Sequence, residues 1–447
     1  MNYREAIEFL YSRLPAFHRV GKPAYKEGLG NIVLLDEYLN HPHRLFRSIH
    51  IAGTNGKGSV AHMLASVMQE AGFRTGLYTS PHLIDFRERI KVDGQMIPEE
   101  EVVRFIERYY ELIEKTKPSF FELTVALAFD FFARSGVEVA VIEVGLGGRL
   151  DSTNIITPEL SVITNISWDH TDLLGNTLQA IAGEKAGIIK KGIPVVISEE
   201  QEEVRQVFEN KAKECGSRLV FASRLWQVVK RESNGNGIQT LYLKDGTGRE
   251  VKVESDLLGM YQMKNIPAVL TACAILNEGA WFRANWDEMA RGIRNTVKNT
   301  GLQGRWQVLG KHPLVVCDTG HNEGGLREVV AQIGQTPHKK LHFVYGTVND
   351  KPLDKVLKIL PRNAEYYFTR ADIQRALDEE ELARVATSAG LKGKPFHTVY
   401  GAFQAAMNHA QKEDLVLVGG STFVVADLLG TMIDDGKKNQ LFNRKIL

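Results

Sequence analysis

Residues 51–59 read Ile51-Ala52-Gly53-Thr54-Asn55-Gly56-Lys57-Gly58-Ser59. An apolar run leads into this stretch, and apolar residues continue after it with helical spacing. The pattern predicts a strand, a glycine-rich turn and a helix, a setting in which backbone N–H groups can hold phosphates. The spacing differs from the common Walker A motif, because Gly53 lies four positions before Lys57 and Gly58 separates Lys57 from Ser59. A tight turn with an unrelated lysine is the plainer alternative, but three glycines with Lys57 and Ser59 favour a phosphate loop.

The composition is that of an ordinary globular protein. Of 447 residues, 43% are hydrophobic and 24% are charged, and a chain of this length predicts two domains. Lys and Arg number 55 against 54 Asp and Glu, so no overall charge attracts nucleic acid or an anionic membrane. We find neither an apolar stretch of about 18 residues nor a secretory pattern at the N-terminus. The three cysteines form no CxxC pair, and we expect a cytoplasmic protein without disulfides.

Apolar, β-branched runs alternate with helical segments through the first part of the chain, most clearly at 137–144 and 160–166. This alternation predicts a doubly wound parallel sheet of the kind found in P-loop NTPases. Alternating segments and hairpin turns at 227–259 predict a small antiparallel insertion. The segment 85–95 is charged and aperiodic, and we expect an exposed loop there.

A second, smaller domain is expected to follow a polar stretch that contains glycine. We predict a first domain at 1–297, a linker at 298–304 and a Rossmann-like α/β domain at 305–447. Short apolar runs that begin at Leu314, Leu341, Tyr366 and Leu415 are its predicted strands.

Polar residues follow three of the predicted strands of the first domain: Ser80, Glu143 and His170. Ligands of such sheets lie at the carboxyl ends of the strands. Magnesium prefers oxygen ligands and usually takes one or two protein carboxylates, which favours Glu143 as a metal ligand. Imidazole is a poorer partner for magnesium, so chemistry alone leaves His170 equally open to a structural role.

Seven motifs follow one another along the chain: Gly53 to Ser59, Thr79-Ser80-Pro81-His82-Leu83, Glu143-Val144-Gly145-Leu146-Gly147-Gly148-Arg149-Leu150-Asp151, Asp169-His170, Glu184-Lys185-Ala186-Gly187-Ile188, Gly304-Arg305 and Asp318-Thr319-Gly320-His321-Asn322. Together they resemble the folylpolyglutamate synthase/dihydrofolate synthase family of the Mur-ligase superfamily. The resemblance runs from about Gly28 to Asp427.

The resemblance implies ATP and magnesium as cofactors, with two Mg²⁺ ions. It makes Ser80 and Glu143 ligands of one Mg²⁺ and His170 a ligand of a second. It implies that the ATP contacts are Thr54, Asn55, Gly56, Lys57, Gly58, Ser59, Asn265, Arg305 and Asp318.

Lys185 matches a lysine that is carbamylated in this family. A lysine held neutral can react with carbon dioxide and become an anion that metal ions stabilise. Without the resemblance, the residues favour a lysine on a helix with its charged amine in solvent at this position.

The resemblance also implies binding sites for a folate acceptor and for glutamate. It assigns His321 and Ser421 to the incoming glutamate, and it assigns the pterin pocket to Phe121, Leu150, Asp151 and Ser152 and, more loosely, to Gly28, Leu29 and Gly30.

The implied activity is a ligase reaction in which ATP phosphorylates a carboxylate and the amine of glutamate attacks the acyl phosphate. Lys57, Lys185, Arg305 and His321 would be the catalytic residues, brought together by closure about 298–304. We expect a monomer that acts on tetrahydrofolate and its polyglutamates, with dihydropteroate as a second acceptor. The rivals are a Mur-type ligase with another carboxylate acceptor and a P-loop nucleotide switch.

Overall fold

The structure is a computed structural model that describes residues 1–14, 28–233, 235, 237–349 and 353–438. The chain divides into two compact units. The first unit contains residues 1–256 and 261–302, and the second contains residues 257–260 and 303–447.

The first unit is built on an eight-stranded sheet with the strand order β4-β3-β2-β5-β1-β6-β7-β8. The five pairings among β2, β5, β1, β6, β7 and β8 are parallel, and β3 and β4 add an antiparallel edge. The strands are β1 (Arg47–Ala52), β2 (Thr75–Tyr78), β3 (Ile90–Val92), β4 (Gln95–Met96), β5 (Val139–Glu143), β6 (Leu160–Ile163), β7 (Val195–Ile197) and β8 (Leu219–Phe221).

Helices connect these strands and cover the sheet. They are α1 (Tyr3–Arg13), α2 (Gly30–Tyr38), α3 (Lys57–Glu70), α4 (Glu99–Arg108), α5 (Tyr110–Thr116), α6 (Phe120–Arg134), α7 (Thr171–Leu174), α8 (Leu178–Ala186), α9 (Glu202–Cys215), α10 (Ala222–Leu225), α11 (Gln262–Glu278), α12 (Trp286–Arg294) and α13 (Thr296–Thr300). Three short 3-10 helices add Pro42–Arg44, Phe86–Arg89 and Ser152–Ile155.

Local sequence explains where the helices near the site begin. Ser119 caps α6 by accepting from the backbone N–H of Glu122, whose side chain accepts from Ser119 N in return. Helix α3 has no such side-chain cap: it begins after Gly56, which adopts a left-handed conformation with φ 91°. The first N–H groups of α3 therefore have neither an intrahelical acceptor nor a capping side chain.

The expectation of an exposed loop at 85–95 is wrong. The segment forms the 3-10 helix Phe86–Arg89 and the strand β3, and it buries Phe86, Arg89 and Lys91. Charge and the lack of periodicity suggested exposure, but Arg89 and Lys91 are buried with backbone and side-chain partners of their own.

A three-stranded antiparallel sheet follows in the first unit, as predicted. Its order is β11-β10-β9, with β9 (Trp226–Ser233), β10 (Gln239–Asp245) and β11 (Glu250–Ser255). The hairpin turn predicted between β9 and β10 lies partly outside the described residues, because Asn236 is not among them.

The second unit contains a six-stranded sheet. Its strands are β12 (Gln307–Lys311), β13 (Leu314–Asp318), β14 (Leu341–Tyr345), β15 (Glu365–Thr369), β16 (Lys392–Phe396) and β17 (Leu415–Gly419). Their order is β12-β13-β17-β14-β15-β16, and all pairings are parallel except that between β12 and β13. Within the described part of the chain, β16 is an edge strand that pairs with β15 alone. The helices are α14 (Glu323–Gln335), α15 (Leu353–Leu357), α16 (Glu379–Ser388), α17 (Val399–His409) and α18 (Thr422–Lys438).

The predicted α/β class is confirmed, with two largely parallel sheets and an antiparallel insertion. The domain boundaries at 297 and 305 stay a prediction; part of the expected linker is the helix α13.

Among the residues that the structure describes, no helix combines the length and apolarity needed to cross a membrane.

Candidate active site

The glycine-rich loop joins β1 to α3, and its glycines are required by close contacts. A Cβ on Gly53 would lie 1.8 Å from Thr164 Oγ1, and one on Gly56 would lie 2.5 Å from Asn265 Oδ1. Both residues also have positive φ, 138° and 91°. Any side chain at either position would therefore displace the segment after β6 or helix α11.

The segment after β6 holds the loop in shape. Asn165 accepts from Thr54 N through its carbonyl at 2.8 Å and from Asn55 N through its side-chain oxygen at 2.9 Å. Thr164 Oγ1 donates to the carbonyl of Asn55 at 2.6 Å. These two N–H groups are thus already used, and the uncapped N–H groups at the start of α3 are the donors available to an anion. Sequence reasoning missed both Thr164 and Asn165.

Lys57 is the first residue of α3, and its Nζ donates to the carbonyl of Thr54 at 3.2 Å. Helix α11 supports the same turn, since Gln262 Nε2 donates to Ser59 Oγ at 3.2 Å. Asn265 Nδ2 in turn donates to Gln262 Oε1 at 2.8 Å. The structure thus brings Asn265 beside the loop, as its assignment to the ATP site requires.

Glu143 is the last residue of β5 and lies next to β1, paired with Ile51. Its side chain is buried, and Oε2 accepts from Ser80 N at 3.2 Å. Ser80 follows β2, which pairs with β5 on the other side. The two predicted metal ligands Ser80 and Glu143 therefore lie together at the carboxyl edge of the sheet.

His170 follows β6 at the same edge and begins α7 in a left-handed conformation with φ 48°. Its backbone N–H donates to Asp169 Oδ1 at 3.0 Å, and its Nε2 lies 3.8 Å from that oxygen. Asp169 therefore places a carboxylate beside the imidazole.

Lys185 is buried in α8, and its Nζ donates to the carbonyl of Gly53 at 2.9 Å. The alternative of a solvated helix charge is wrong. Burial first, and then the positive charge of Lys57, lowers the pKa of Lys185 to about 7. A substantial fraction of the Lys185 amine is therefore neutral at neutral pH.

The loop 145–151 packs against α8. A Cβ on Gly148 would lie 2.8 Å from the carbonyl of Glu184, and one on Gly187 would lie 2.4 Å from Arg149 Cα. Arg149 also pairs with Glu184 at 2.9 Å. These contacts explain why glycines recur in both motifs, because neither backbone could approach the other with larger residues.

Asp151 ends that loop with a buried carboxylate. Its oxygens accept from Leu146 N at 2.8 Å and from Thr153 N and Oγ1 at 3.0 and 2.5 Å. Burial raises the pKa of Asp151, and these hydrogen bonds oppose the shift. Leu150 and Ser152, the other residues of this stretch that are expected to bind the pterin, flank this anchored carboxylate in the chain.

Phe121 packs against the same loop, because a Cβ on Gly145 would lie 2.4 Å from its ring. Phe121 and Leu29 both pack on one apolar cluster of the first unit. Asn31, just after Gly30, donates to Glu122 Oε2 at 3.3 Å and so joins the start of α2 to α6. Gly28, Leu29 and Gly30 are thus near the aromatic side of the predicted pterin pocket.

A buried arginine beside Ser80 was missed by sequence reasoning. Arg89 Nε donates to His82 Nδ1 at 2.7 Å, and its guanidinium lies 5.2 Å from the ring of Phe120. Burial lowers the pKa of Arg89. Tyr11 OH lies 3.1 Å from His82 Nε2, so α1 also contacts this group.

The second unit has its own polar cluster after β13. Asp318 Oδ2 accepts from Trp306 N at 2.7 Å, and Oδ1 accepts from Gly320 N at 2.8 Å. Arg305 Nη1 donates to Thr319 Oγ1 and, at 3.2 Å, to the carbonyl of Gly304. Asp318 therefore orders the backbone that presents Arg305.

His321 and Ser421 lie after neighbouring parallel strands, because Asp318 of β13 pairs with Gly419 of β17. His321 Nδ1 is 3.0 Å from the carbonyl of Thr319. Ser421 is buried, and its Oγ accepts from Phe423 N at 3.2 Å. The two residues assigned to glutamate thus share one sheet edge.

Comparison with known proteins gives a consistent result. Residues 51–273 match the Mur ligase middle domain, and residues 304–422 match the Mur ligase, glutamate ligase domain. The dihydrofolate synthase/folylpolyglutamate synthase of Bacillus subtilis is 32% identical over 437 residues, which are 95% of this chain and 98% of that protein. The chain belongs to the folylpolyglutamate synthase/dihydrofolate synthase family. It is accordingly an ATP-dependent ligase that joins glutamate to a folate carboxylate.

Other members of the family show how far the likeness extends. The probable bifunctional folylpolyglutamate synthase/dihydropteroate synthase of Haloferax volcanii is 34% identical over 446 residues, and this chain spans 50% of its length. The E. coli FolC structure in complex with DHPP and ADP has a TM-score of 0.82 at 26% identity and covers 98% of this chain and 99% of that one. The Yersinia pestis bifunctional enzyme complexed with AMPPNP and a Mn ion has a TM-score of 0.81 at 28% identity, covering 97% and 98%.

Proposed function

We propose that this ligase divides its chemistry between two sets of residues. The first unit would bind ATP and activate the folate carboxylate through Lys57, Glu143 and Lys185. The second unit would recognise glutamate through His321 and Ser421. The buried Lys185, in contact with the phosphate loop through Gly53, is the observation that carries this proposal.

In the first step, a carboxylate oxygen of the folate attacks the γ-phosphorus of ATP, and ADP leaves. The N–H groups at the start of α3 and the Lys57 ammonium would hold the phosphates. Phosphoryl transfer depends mainly on such positioning and on neutralising charge. Asn265, held by Gln262, would fix the loop on the opposite side.

The residues at the sheet edge fit a hard divalent cation. A buried carboxylate from Glu143 and a hydroxyl from Ser80 suit Mg²⁺, which usually takes few protein ligands and retains waters. His170, beside Asp169, is the candidate ligand for a second ion. Bound magnesium would supply charge neutralisation on the transferring phosphoryl group.

We propose that Lys185 is carbamylated. Its neutral amine would form an N–C bond with CO₂ and release one proton, which converts a buried neutral group into an anion. An anion at this position would favour cation binding nearby, whereas the unmodified ammonium would oppose it.

In the second step, the amine of glutamate attacks the acyl carbon, the tetrahedral intermediate expels phosphate, and the nitrogen loses a proton. Arg305 would stabilise the developing negative charge, and Asp318 would contact the nucleotide. His321 and Ser421, which share a sheet edge, would position the glutamate.

We propose that both tetrahydrofolate and dihydropteroate are acceptors. The support is that the relatives from Bacillus subtilis and E. coli are named for both activities. The pocket would be formed by Phe121 and the loop that ends at Asp151. A monomeric state and a cytoplasmic location stay predictions, and size-exclusion chromatography with light scattering would test the first.

The test is to detect the carbamate directly and to relate it to turnover. Protein equilibrated with ¹³C-bicarbonate should show one carbamate signal in ¹³C NMR that is absent in Lys185→Ala. The variant should be inactive, and short carboxylic acids should restore part of its activity. Lys191→Ala, which removes an exposed lysine nearby, is the control and should behave as the parent.

Two results would contradict the proposal. One is a Lys185→Ala variant that ligates glutamate at the parent rate. The other is a parent protein that shows no carbamate signal in the ¹³C NMR experiment.

A further inference from the structure

Two histidines and an aspartate converge just before β1, apart from the residues assigned to ATP and folate. Asp36 lies in α2, His41 directly precedes the 3-10 helix Pro42–Arg44, and His43 lies within that helix. His41 Nδ1 is 2.7 Å from Asp36 Oδ2, and His43 Nδ1 is 2.6 Å from Asp36 Oδ1. The three ligand atoms all lie within 4.8 Å of one another.

The backbone is shaped to produce this convergence. Asn40 and His41 both adopt left-handed conformations, with φ 61° and 55°, and His41 N donates to the carbonyl of Asp36 at 2.8 Å. Two successive non-glycine residues in this region are uncommon and cost free energy. This turn directs the His41 side chain back onto the Asp36 carboxylate.

The burial of the three side chains is graded. Asp36 is 7% exposed, His43 is 11% exposed and His41 is 33% exposed. The Asp36 carboxylate is therefore buried, and solvent reaches the cluster from the side of His41. Metal sites have this form when the protein supplies three ligands and water supplies the rest.

We propose that Asp36, His41 and His43 bind one divalent transition-metal ion of the Zn²⁺ class. Two imidazole nitrogens and one carboxylate oxygen are ligands that zinc accepts, and zinc is commonly four-coordinate. Ligand atoms about 2.1 Å from a tetrahedral ion lie about 3.4 Å apart. The present separations, 2.7 Å from His41 Nδ1 to Asp36 Oδ2 and 2.6 Å from His43 Nδ1 to Asp36 Oδ1, are each within about 1 Å of that value, and one of the two oxygens would be the ligand.

The ligand chemistry separates this site from the magnesium site. Imidazole nitrogen favours zinc, cobalt or nickel over Mg²⁺, which requires oxygen ligands and keeps its waters. In each histidine the proton would reside on Nε2, so that the Nδ1 lone pair faces the ion. Millimolar Mg²⁺ should therefore leave this site open to zinc.

A metal here would be structural in its effect. It would join the end of α2 to the segment that enters β1, the strand that carries the phosphate loop. The 3-10 helix Pro42–Arg44 packs against α6, so the ion would also stiffen a contact with the helix that begins next to Phe121.

The experiment measures metal binding on the full, tag-free chain with Mg²⁺ saturating. Zn²⁺ is titrated calorimetrically, and Co²⁺ is added separately to follow its visible ligand-field bands. We expect one ion per chain and a higher melting temperature with Zn²⁺. Asp36→Asn, His41→Gln and His43→Gln should each lower the affinity about tenfold or more.

The matched control is His397→Gln. His397 Nδ1 lies 2.8 Å from Glu379 Oε1, which makes it a histidine–carboxylate pair in the second unit. Among the described residues it is not part of a three-ligand cluster. Its loss should leave the stoichiometry, the Co²⁺ bands and the zinc-dependent melting shift unchanged.

The proposal is overturned if the parent protein binds no Zn²⁺ or Co²⁺ under these conditions. It is equally overturned if the folded His41→Gln/His43→Gln double variant binds as the parent does. Circular dichroism establishes that each variant is folded. None of these measurements depends on catalytic turnover. Their outcome is therefore independent of the test of the ligase mechanism.

Discussion

At the residue scale, the site contains two buried basic side chains, Lys185 and Arg89. Burial lowers the pKa of each side chain. The sequence predicted the polar residues at strand ends, because Ser80 and Glu143 directly follow apolar runs. It could not predict that Lys185 and Arg89 are buried, since the groups that enclose them come from distant parts of the chain.

The pH dependence of Lys185 gives a prediction. Its pKa falls from 10.5 to about 7, so carbamate formation should increase as pH rises through about 7. Stability should also rise with pH between about 7 and 10.5, because there the unfolded chain binds the proton that the folded protein has released. ¹³C NMR and denaturant unfolding at several pH values measure the two effects. Carbamate formation that begins only near pH 10 would contradict the argument.

The metal ligands give a second prediction. Glu143→Ala or His170→Ala should raise the Mg²⁺ concentration for half-maximal activity about tenfold or more and lower kcat about 100-fold. The control is Glu138→Gln, an exposed glutamate just before the other end of β5. If either variant kept the magnesium dependence of the parent, that residue would be structural.

At the element scale, the phosphate loop is held by contacts between β1, α3, α11 and the segment after β6. The strand–turn–helix order could be predicted from residues 51–59 alone. The support from Thr164 and Asn165 could not, because more than a hundred residues separate them from the loop. The strand β3, which lies between β2 and the edge strand β4, was also missed, since its charged flanks resemble those of an exposed loop.

The contacts that hold the phosphate loop predict that alanine has different effects at two glycines with positive φ, Gly53 and Gly72. Gly53→Ala should abolish ligation and lower stability, because its Cβ would lie 1.8 Å from Thr164 Oγ1. Gly72→Ala is the control: φ is 86° there, and no atom lies within 4 Å of the added Cβ. Denaturant unfolding and ATP binding measure the outcome. Equal losses in both variants would mean that backbone strain alone, and not the contact with Thr164, decides the effect.

At the scale of the whole molecule, the chain has two units, each with polar residues at the carboxyl ends of its strands. Apolar runs predicted most strands of both sheets. They did not predict β12 or β16, because Gly310, Lys311, Lys392 and Lys394 interrupt any apolar pattern there. The seven motifs were sufficient to infer the family to which the chain belongs. The roles of the individual residues stay predictions.

The division of labour between the units can be tested through glutamate. His321→Ala should raise the KM for glutamate about tenfold or more with little change in the KM for ATP, because its proposed contact is with the amino acid alone. Steady-state kinetics with each substrate varied in turn measure the split. His338→Ala is the control, a histidine of the same unit whose Nδ1 also lies near a backbone carbonyl. An altered KM for ATP alone would remove His321 from the glutamate site.

The edge strand β16 has a consequence for solubility. Among the residues that the structure describes it pairs with β15 alone, so its outer side offers backbone groups to which a strand of another molecule could add. Lys392 and Lys394 place two like charges along this edge, and Pro395 lacks an N–H to donate. Two such edges brought together would repel each other and leave a gap in the hydrogen-bond ladder. The sheet is thereby protected against growing from one molecule into the next, as in an amyloid fibril.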